Sequence, residues 1–304
     1  MIIVHGGAIN PTTEEFNKGV VDAVLAGMRI LENGGSSIDA VTEAIRIMED
    51  NPIFNAGTGS WPNLYGEVEM DAIIMDGRTL RAGAVACIKA VKNPILVARK
   101  VMEETDHILL VGEGATNFAR KMGFNFYNPL TEERKRQWEE TLNRLKRGEK
   151  IPMFEYWKKL KKFMSDTVGA VAMDVYGNIA AATSSGGFPL KLPGRVGDVP
   201  LIGCSTYASN NGGGVSMTGH GETIMKHLLA KRIVDEMEKG KNAQTAVEDA
   251  IRFLNKVEQE KTLIAIIAID KEGNVGAART TANTPHAYIR KGMEKPELNF
   301  APII

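Results

Sequence analysis

Residues 166–187, with the sequence DTVGAVAMDVYGNIAAATSSGG, decide the fold of this 304-residue chain. Residues 167–175 are apolar and rich in small and β-branched side chains, and residues 179–183 have the same composition. Tyr176-Gly177-Asn178 between them is a turn sequence, so the stretch predicts a β-hairpin whose first strand is buried.

The rest of the chain repeats this pairing of elements. Residues 263–269 and 275–281 predict a second hairpin, turned by residues 270–274. Apolar spacing predicts helices over residues 14–31, 36–48, from Pro94, 115–121, 222–238 and 243–256, and further strands over residues 2–4, 68–75, 82–88, 108–111 and 215–218. Hairpins rather than regular βαβ alternation favour antiparallel sheets covered by helices, an α/β layered fold, over a Rossmann fold.

The amino-acid composition of the segment before the first hairpin is different. Residues 131–162 are charge-dense and contain almost no glycine. This composition predicts a solvated, partly helical linker, and an ordinary pair of exposed helices is the alternative interpretation. The buried strand that starts at Thr167 therefore follows directly on a segment outside the core.

Composition argues against several function classes. The formal net charge is zero and there is no basic stripe, which gives no support to a nucleic-acid or anionic-membrane partner. No apolar run approaches the roughly 20 residues of a membrane helix, and the N-terminus lacks a signal-cleavage pattern, so we expect a soluble cytoplasmic protein. Cys87 and Cys204 stand in apolar or glycine-rich surroundings and are interpreted as core thiols.

Two glycine-rich segments do not fit nucleotide binding. Residues 112–114 (GEG) follow a predicted strand, but their glutamate stands where a pyrophosphate would approach. Residues 214–219 have P-loop spacing, but His220 replaces the lysine that the phosphates require. The five histidines give no zinc-binding spacing, and His5 is interpreted as a core or turn histidine rather than a catalytic base.

Thr167 lies at the boundary between the charge-dense segment and the apolar strand. The ordinary interpretation is a β-branched residue that starts a strand. The functional interpretation, a threonine nucleophile, depends on hydroxyl, glycine and charged residues further along the chain, namely Ser185-Gly186-Gly187, Arg195 with Asp198, and Thr218-Gly219 with Gly221.

These residues resemble the motifs of the plant-type asparaginase and isoaspartyl-peptidase family of N-terminal-nucleophile hydrolases, which is related to the glycosylasparaginases. The matching motifs run in order along nearly the whole chain, at residues 5–8 (HGGA), 52–57 (PIFNAG), 75–86, 166–172 (DTVGAVA), 177–187, 192–198 (LPGRVGD) and 218–222 (TGHGE). The chain departs from the family pattern at Ile9, at Ser185, at His220 and at Asp166. Serine replaces the threonine usual in the isoaspartyl branch, and Asp166 is shared with glycosylasparaginases.

The resemblance implies a four-layer αββα sandwich and a single domain over residues 1–304 that cuts itself between Asp166 and Thr167. The products would be an α subunit, residues 1–166 with a flexible charged linker over about 130–166, and a β subunit, residues 167–304. The implied reaction is hydrolysis of L-asparagine or of β-aspartyl (isoaspartyl) peptides. A glycosylasparaginase-like amidase and a catalytically silent binding protein of the same fold are the alternatives.

The resemblance also implies roles for the hydroxyl groups. The free α-amino group of Thr167 would act as base for its own side chain, because a threonine hydroxyl is a weak nucleophile without one. Ser185 would position Thr167. The Thr218 hydroxyl and the Gly219 N–H would stabilise the oxyanion.

The implied substrate site lies around two charged residues. Arg195 would hold the substrate α-carboxylate as a bidentate fork, and Asp198 would pair with the α-ammonium group. Asn55, Gly187 and Gly221 would complete the substrate-binding set.

A structural sodium ion is implied as well. Its ligands would be main-chain carbonyls of the loop over residues 48–58, from Met48, Glu49, Asn51, Phe54, Ala56 and Thr58. The resemblance implies no cofactor for catalysis, a small-molecule or dipeptide substrate, and a homodimer of cleaved protomers.

Overall fold

The computed structural model describes residues 1–8, 13–147, 167–259 and 262–304. The predictions for Ile9, for Asp166 and for the last part of the charged linker therefore lie outside the described residues.

The strands within these ranges are numbered along the chain. They are β1 (Ile2–His5), β2 (Met70–Asp76), β3 (Ala82–Ile88), β4 (Leu109–Val111), β5 (Val168–Met173), β6 (Ile179–Ser185), β7 (Thr206–Ser209), β8 (Gly213–Gly219), β9 (Ile264–Asp270), β10 (Val275–Arg279), β11 (His286–Ile289) and β12 (Glu297–Leu298). The larger sheet has the order β12-β11-β1-β5-β6-β2-β3-β4, and the smaller one the order β10-β9-β8-β7. Neighbouring strands are antiparallel except for β3 and β4. Both predicted hairpins, β5–β6 and β9–β10, are confirmed.

The helices are numbered in the same way. They are α1 (Glu14–Glu32), α2 (Ser37–Asp50), α3 (Pro94–Glu104), α4 (Gly112–Lys121), α5 (Glu132–Lys146), α6 (Gly221–His227), α7 (Leu229–Glu238) and α8 (Ala243–Val257). Helix α1 ends as its Asn-Gly-Gly sequence predicts, because Gly34 and Gly35 donate their N–H groups to Leu31 and Ile30. Helix α2 begins at a capping box in which the Ser36 hydroxyl and the Asp39 carboxylate each accept the other residue's N–H.

The two sheets pack face to face because each strand alternates its side chains between two cores. Along β5, Val168 and Ala170 lie in the core under helices α1–α4, whereas Val171 lies in the core between the sheets. Along β8, Val215 and Met217 pack under helices α7 and α8. The predicted αββα fold is thus confirmed.

Helices α6 and α7 correct the prediction of one continuous helix over residues 222–238. Leu228 interrupts it with a left-handed backbone, φ 45°. The first N–H groups of α7 find acceptors outside the helix, because Ala230 donates to the Cys204 carbonyl and Lys231 to the Gly203 carbonyl. These acceptors come from a distant loop, so the interruption has no local sequence signal.

Helix α5 shows that part of the charge-dense segment is docked on the fold. The Trp138 indole N–H donates to the Asn63 carbonyl at 3.0 Å, and the Arg134 guanidinium donates to the carbonyls of Gly59 and Ile53 at 2.7 and 3.2 Å. The Arg134 guanidinium also lies over the Trp61 ring. The described part of the predicted linker is therefore a helix that supports the loop over residues 53–66.

The contact between β3 and α3 leaves no space for a side chain at Gly83. A Cβ there would lie 2.1 Å from the Ala98 carbonyl oxygen. We expect Gly83→Ala to push α3 off the sheet and to lower the free energy of unfolding by about 1–3 kcal/mol, measured by denaturant unfolding. Gly114→Ala in α4 is the matched control, because nothing lies within 4 Å of its Cβ position, and it should leave stability unchanged or raise it by up to about 1 kcal/mol. Equal effects of the two substitutions would contradict the packing argument.

Candidate active site

Thr167 lies directly before β5 and is 2% exposed. Since Val168 pairs with Ser184 across the hairpin, Thr167 lies opposite Ser185. The Thr167 hydroxyl donates to Ser185 Oγ at 3.1 Å, and Ser185 Oγ also accepts the Gly187 N–H at 2.9 Å. The structure therefore brings the predicted nucleophile and its predicted positioning residue into direct contact.

Asn55 holds the glycine turn that follows Ser185. Its side-chain amide donates to the Gly187 carbonyl, and its main-chain carbonyl accepts the Gly186 N–H at 2.8 Å. Asn55 Oδ1 accepts the Trp61 N–H at 2.8 Å. Asn55 thus ties the helix-supported loop to the turn beside Thr167.

Thr218 and Gly219 end strand β8 of the other sheet. Thr218 is fully buried, and it shares a strand face with Ser216, which lies between the two sheets. Gly219 has φ 150°, and a Cβ there would lie 2.3 Å from the Leu263 carbonyl oxygen, so this position requires glycine. The predicted oxyanion residues and the predicted nucleophile therefore come from different sheets.

Arg195, Asp198 and Gly221 meet at one corner of the site. A Cβ on Gly221 would lie 2.5 Å from Asp198 Oδ1 and 2.9 Å from Arg195 Nη2. Arg195 Nε and Nη2 donate to Glu222 Oε1 at 3.1 and 3.0 Å. Among the described residues, Arg195 thus forms its ion pair with Glu222. The sequence interpretation missed this partner, although Glu222 belongs to the 218–222 motif.

Asp198 is a buried carboxylate suited to a cationic ligand. It is 5% exposed, and its Oδ2 has no hydrogen-bond partner among the described residues. Burial raises the pKa of Asp198 to about 7, while the Arg195 charge acts in the opposite direction. An ammonium group placed here would supply the partner that the carboxylate lacks.

Buried charges that the sequence interpretation did not single out fix the loop that carries Arg195. The Glu69 carboxylate accepts the Gly194 N–H at 3.1 Å. The Asp71 carboxylate accepts the Gly197 N–H at 3.3 Å. Lys191 donates from Nζ to the Glu69 carbonyl at 2.6 Å. Burial lowers the pKa of Lys191, and the nearby Asp71 charge opposes that shift.

A layer of hydroxyl groups lies beneath the site, between the sheets. His5 Nε2 is 3.1 Å from Ser216 Oγ, and Ser216 Oγ is 2.7 Å from Thr183 Oγ1. Thr183 also hydrogen-bonds to the hydroxyl of Thr206. Burial lowers the pKa of His5 to about 3, and the charge of nearby His286 acts in the same direction. The expectation that His5 is a core histidine is confirmed, because it is fully buried.

The sodium loop stays a prediction. The Thr58 N–H closes the loop by donating to the Glu49 carbonyl at 2.8 Å, and the carbonyls of Met48 and Asn51 also accept main-chain N–H groups. Beside the loop, burial raises the pKa of the Glu49 carboxyl to about 8, although it accepts hydrogen bonds from Ser184 and Ile95. A carbonyl has two lone pairs, so these bonds leave room for a cation at the same oxygens.

Other sequence expectations concern metals, thiols and membranes. No cluster of three His, Cys, Asp or Glu side chains suited to a metal occurs within the described ranges. Cys87 and Cys204 are buried and unpaired, and burial raises the pKa of both thiols to about 11. Across the same ranges, every helix is too short or too polar for a transmembrane span.

Comparison with known proteins places these residues in a family context. A family model described as asparaginase matches residues 1–296. The chain is 52% identical to a plant-type L-asparaginase of Pyrococcus horikoshii over 97% of its own length and 98% of that protein's. It is 42% identical to an isoaspartyl peptidase/L-asparaginase of Danio rerio, over 96% and 93% of the two chains. The match over nearly the whole chain shows that this protein belongs to the asparaginase family.

Proposed function

We propose that this chain is an autoprocessing amidohydrolase that uses Thr167 to hydrolyse L-asparagine, β-aspartyl (isoaspartyl) peptides, or both. The hydrogen bond of the Thr167 hydroxyl to Ser185, at the start of a buried strand, carries the proposal. The printed names of its relatives, plant-type L-asparaginase and isoaspartyl peptidase/L-asparaginase, support both substrate classes.

The first step is cleavage of the chain itself. The Thr167 hydroxyl attacks the carbonyl carbon of Asp166, and the acyl group moves from the nitrogen to the oxygen of Thr167. Water then hydrolyses the ester, which gives residues 1–166 and 167–304. The cut releases an α-amino group with an ordinary pKa of about 7.7–8.0, so a sizeable neutral fraction exists near neutral pH.

The neutral amine then serves as the base. It takes the proton of the Thr167 hydroxyl while the oxygen attacks the β-amide carbonyl of the substrate. The Thr218 hydroxyl and the Gly219 N–H stabilise the resulting oxyanion, and loss of one such donor costs about 3–4 kcal/mol of barrier. Ammonia, or the amino acid or peptide whose nitrogen formed the β-amide, leaves with the proton that the amine took, and water then hydrolyses the ester to release aspartate from Thr167.

The substrate is oriented by its α-carbon substituents. The guanidinium of Arg195 binds the α-carboxylate, and the buried carboxylate of Asp198 binds the α-ammonium. Glu222 engages Nε and Nη2 of Arg195, so the substrate uses the remaining N–H donors or displaces Glu222. L-asparagine and a β-aspartyl peptide present the same two groups, which explains how one site serves both.

Substitution of Thr167 tests the nucleophile. Thr167→Ala removes the attacking oxygen, so we expect one uncut chain at the full 33.1 kDa with no turnover of L-asparagine or a β-aspartyl dipeptide. Thr167→Ser keeps a hydroxyl and should still be cut and active. Intact mass and ammonia release are the measurements. A wild-type chain that stays at full mass without amidase activity would defeat the proposal.

Substitution of Arg195 tests the carboxylate site. Arg195→Lys replaces a planar fork by a point charge. We expect self-cleavage to continue and KM for L-asparagine to rise by about tenfold or more, from the loss of at least one charge-assisted hydrogen bond. Arg252→Lys is the matched control, because Arg252 is half exposed and paired with Glu248 on α8. An unchanged KM for Arg195→Lys would remove Arg195 from the substrate site.

The affinity for L-aspartate, the product, should depend on pH through Asp198. The group must be ionised to bind an ammonium, and burial raises its pKa to about 7. Affinity should therefore be full above pH 8 and fall about tenfold for each pH unit below 7, as a group titrating singly dictates. The measurement is the inhibition constant of L-aspartate from about pH 5.5 to about pH 8.5, a range that spans this pKa. Asp198→Asn should bind weakly with this pH dependence lost, and a wild-type profile that is flat below pH 7 would contradict the assignment.

A further inference from the structure

The hydroxyl layer of His5, Thr183, Thr206 and Ser216 has no role in the proposed chemistry. All four side chains are buried, and hydrogen bonds connect them in one chain. Thr183 comes from the larger sheet, whereas Ser216 and Thr206 come from the smaller one. Thr183 therefore makes two hydrogen bonds to the other sheet, one to Ser216 and one to Thr206. His5, on β1 of the larger sheet, makes a third one to Ser216.

The layer lies two residues along the strands from the proposed catalytic groups, on the same strand faces. Side chains two residues apart point to the same face of a strand. Thr183 therefore precedes Ser185 on one face of β6, and Ser216 precedes Thr218 on one face of β8. On β5 the equivalent position after Thr167 is Gly169.

Gly169 makes room for the layer. A Cβ at this position would lie 2.0 Å from Ser216 Oγ and 2.2 Å from His5 Nε2. The imidazole and the serine hydroxyl thus occupy the space directly beside the strand that begins with the nucleophile. Burial keeps His5 neutral, since its pKa lies near 3, so one ring nitrogen remains an acceptor for a hydroxyl.

The two halves of the proposed machinery belong to different sheets. Thr167 and Ser185 are on the larger sheet, and Thr218 and Gly219 are on the smaller one. Apolar contacts from residues such as Val171 and Ile267 fill the next part of the gap between the sheets, and at the opposite end of β6 the turn residue Asn210 hydrogen-bonds to Ile179 and Gly77. Apolar contacts are not directional, whereas a hydrogen bond weakens steeply with misalignment. Hydrogen bonds across the gap therefore fix the distance between nucleophile and oxyanion hole more tightly than apolar packing does.

We propose that the hydroxyl layer is a positioning device that sets the register of the two sheets, and thereby aligns Thr167 with the oxyanion donors Thr218 and Gly219. The proposal rests on the proposed function. Thr183 and Ser216 are positioning residues, since they act through Ser185 and Thr218, and His5 adds a hydrogen bond from β1 to Ser216.

A matched pair of substitutions at Thr183 tests this role. Thr183→Val keeps the volume and removes the hydroxyl, whereas Thr183→Ser keeps the hydroxyl and removes a methyl group. We expect Thr183→Val to lower kcat about ten- to a hundredfold, as displacement of a reacting group by up to about 1 Å does. KM should stay within about twofold, because Arg195 and Asp198 do not contact the layer. Thr183→Ser should keep kcat close to the wild-type value.

Ser184→Ala is the control on the same strand. The Ser184 hydroxyl is equally buried, but it points to the opposite face of β6 and donates to Glu49. Its loss should lower the melting temperature and leave kcat within about twofold of wild type. Ser216→Ala provides a second variant, because it removes the central hydroxyl of the layer and should lower kcat as Thr183→Val does.

The measurements are kcat and KM per cleaved chain, the fraction cut by intact mass, and the melting temperature. Slower self-cleavage of Thr183→Val and Ser216→Ala is also expected, because both attacks use the Thr167 hydroxyl. If kcat of both variants equals that of wild type, or if Thr183→Ser and Ser184→Ala lose as much kcat as Thr183→Val, the positioning role is overturned while the proposed function stands. A wild-type chain that is neither cut nor active would instead overturn the proposed function and this inference with it.

Discussion

The face-to-face packing of the two sheets is the constraint on which the rest of this molecule depends. The predicted nucleophile lies at the end of a strand in one sheet, and the predicted oxyanion residues lie at the end of a strand in the other. Neither sheet therefore carries a complete site. The interface changes character along its length, from an apolar region around Val171 to the hydroxyl layer beneath Thr167. A buried hydroxyl bond contributes only about 0.5–1.5 kcal/mol net to stability. Its larger contribution here is to the relative position of the two sheets, because a hydrogen bond depends on the alignment of its two groups.

The proposed substrate-binding residues Arg195 and Asp198 follow a different principle, since they lie on an irregular loop rather than on a strand. The carboxylates of Glu69 and Asp71 accept main-chain N–H groups on either side of Arg195. Each buried carboxylate would be costly without such partners, and each N–H would otherwise be unpaired. The loop is therefore ordered before a substrate arrives, which reduces the entropy lost on binding. Asp198 differs because its Oδ2 lacks a partner among the described residues, and this is the position that a substrate ammonium would satisfy.

Helix α5 connects the charge-dense segment to the candidate active site. Arg134 and Trp138 bind the carbonyls of the loop over residues 53–66. Asn55 in that loop holds the turn at Gly187, whose N–H binds Ser185. A charge-dense sequence thus contributes to the support of the site through two side chains. Glu133 and Arg136 of the same helix instead pair with each other at the surface, where such pairs contribute little to stability.

The sequence by itself determined the layered α/β fold, both hairpins and the identities of most proposed site residues. The fold and the hairpins follow from period-two and period-3.6 patterns, which depend on neighbours along the chain, whereas the site residues follow from the resemblance of short motifs to a known family. It missed the short strands β7, β11 and β12, the interruption of the helix at Leu228, and the docking of α5, because the partners of these segments are distant in sequence. Glu222 as the partner of Arg195, and His5 with Thr183 and Ser216 as one layer, were decided only by the tertiary structure. A hydrogen bond between residues 211 positions apart exists only once the two sheets have packed, and no local pattern encodes it.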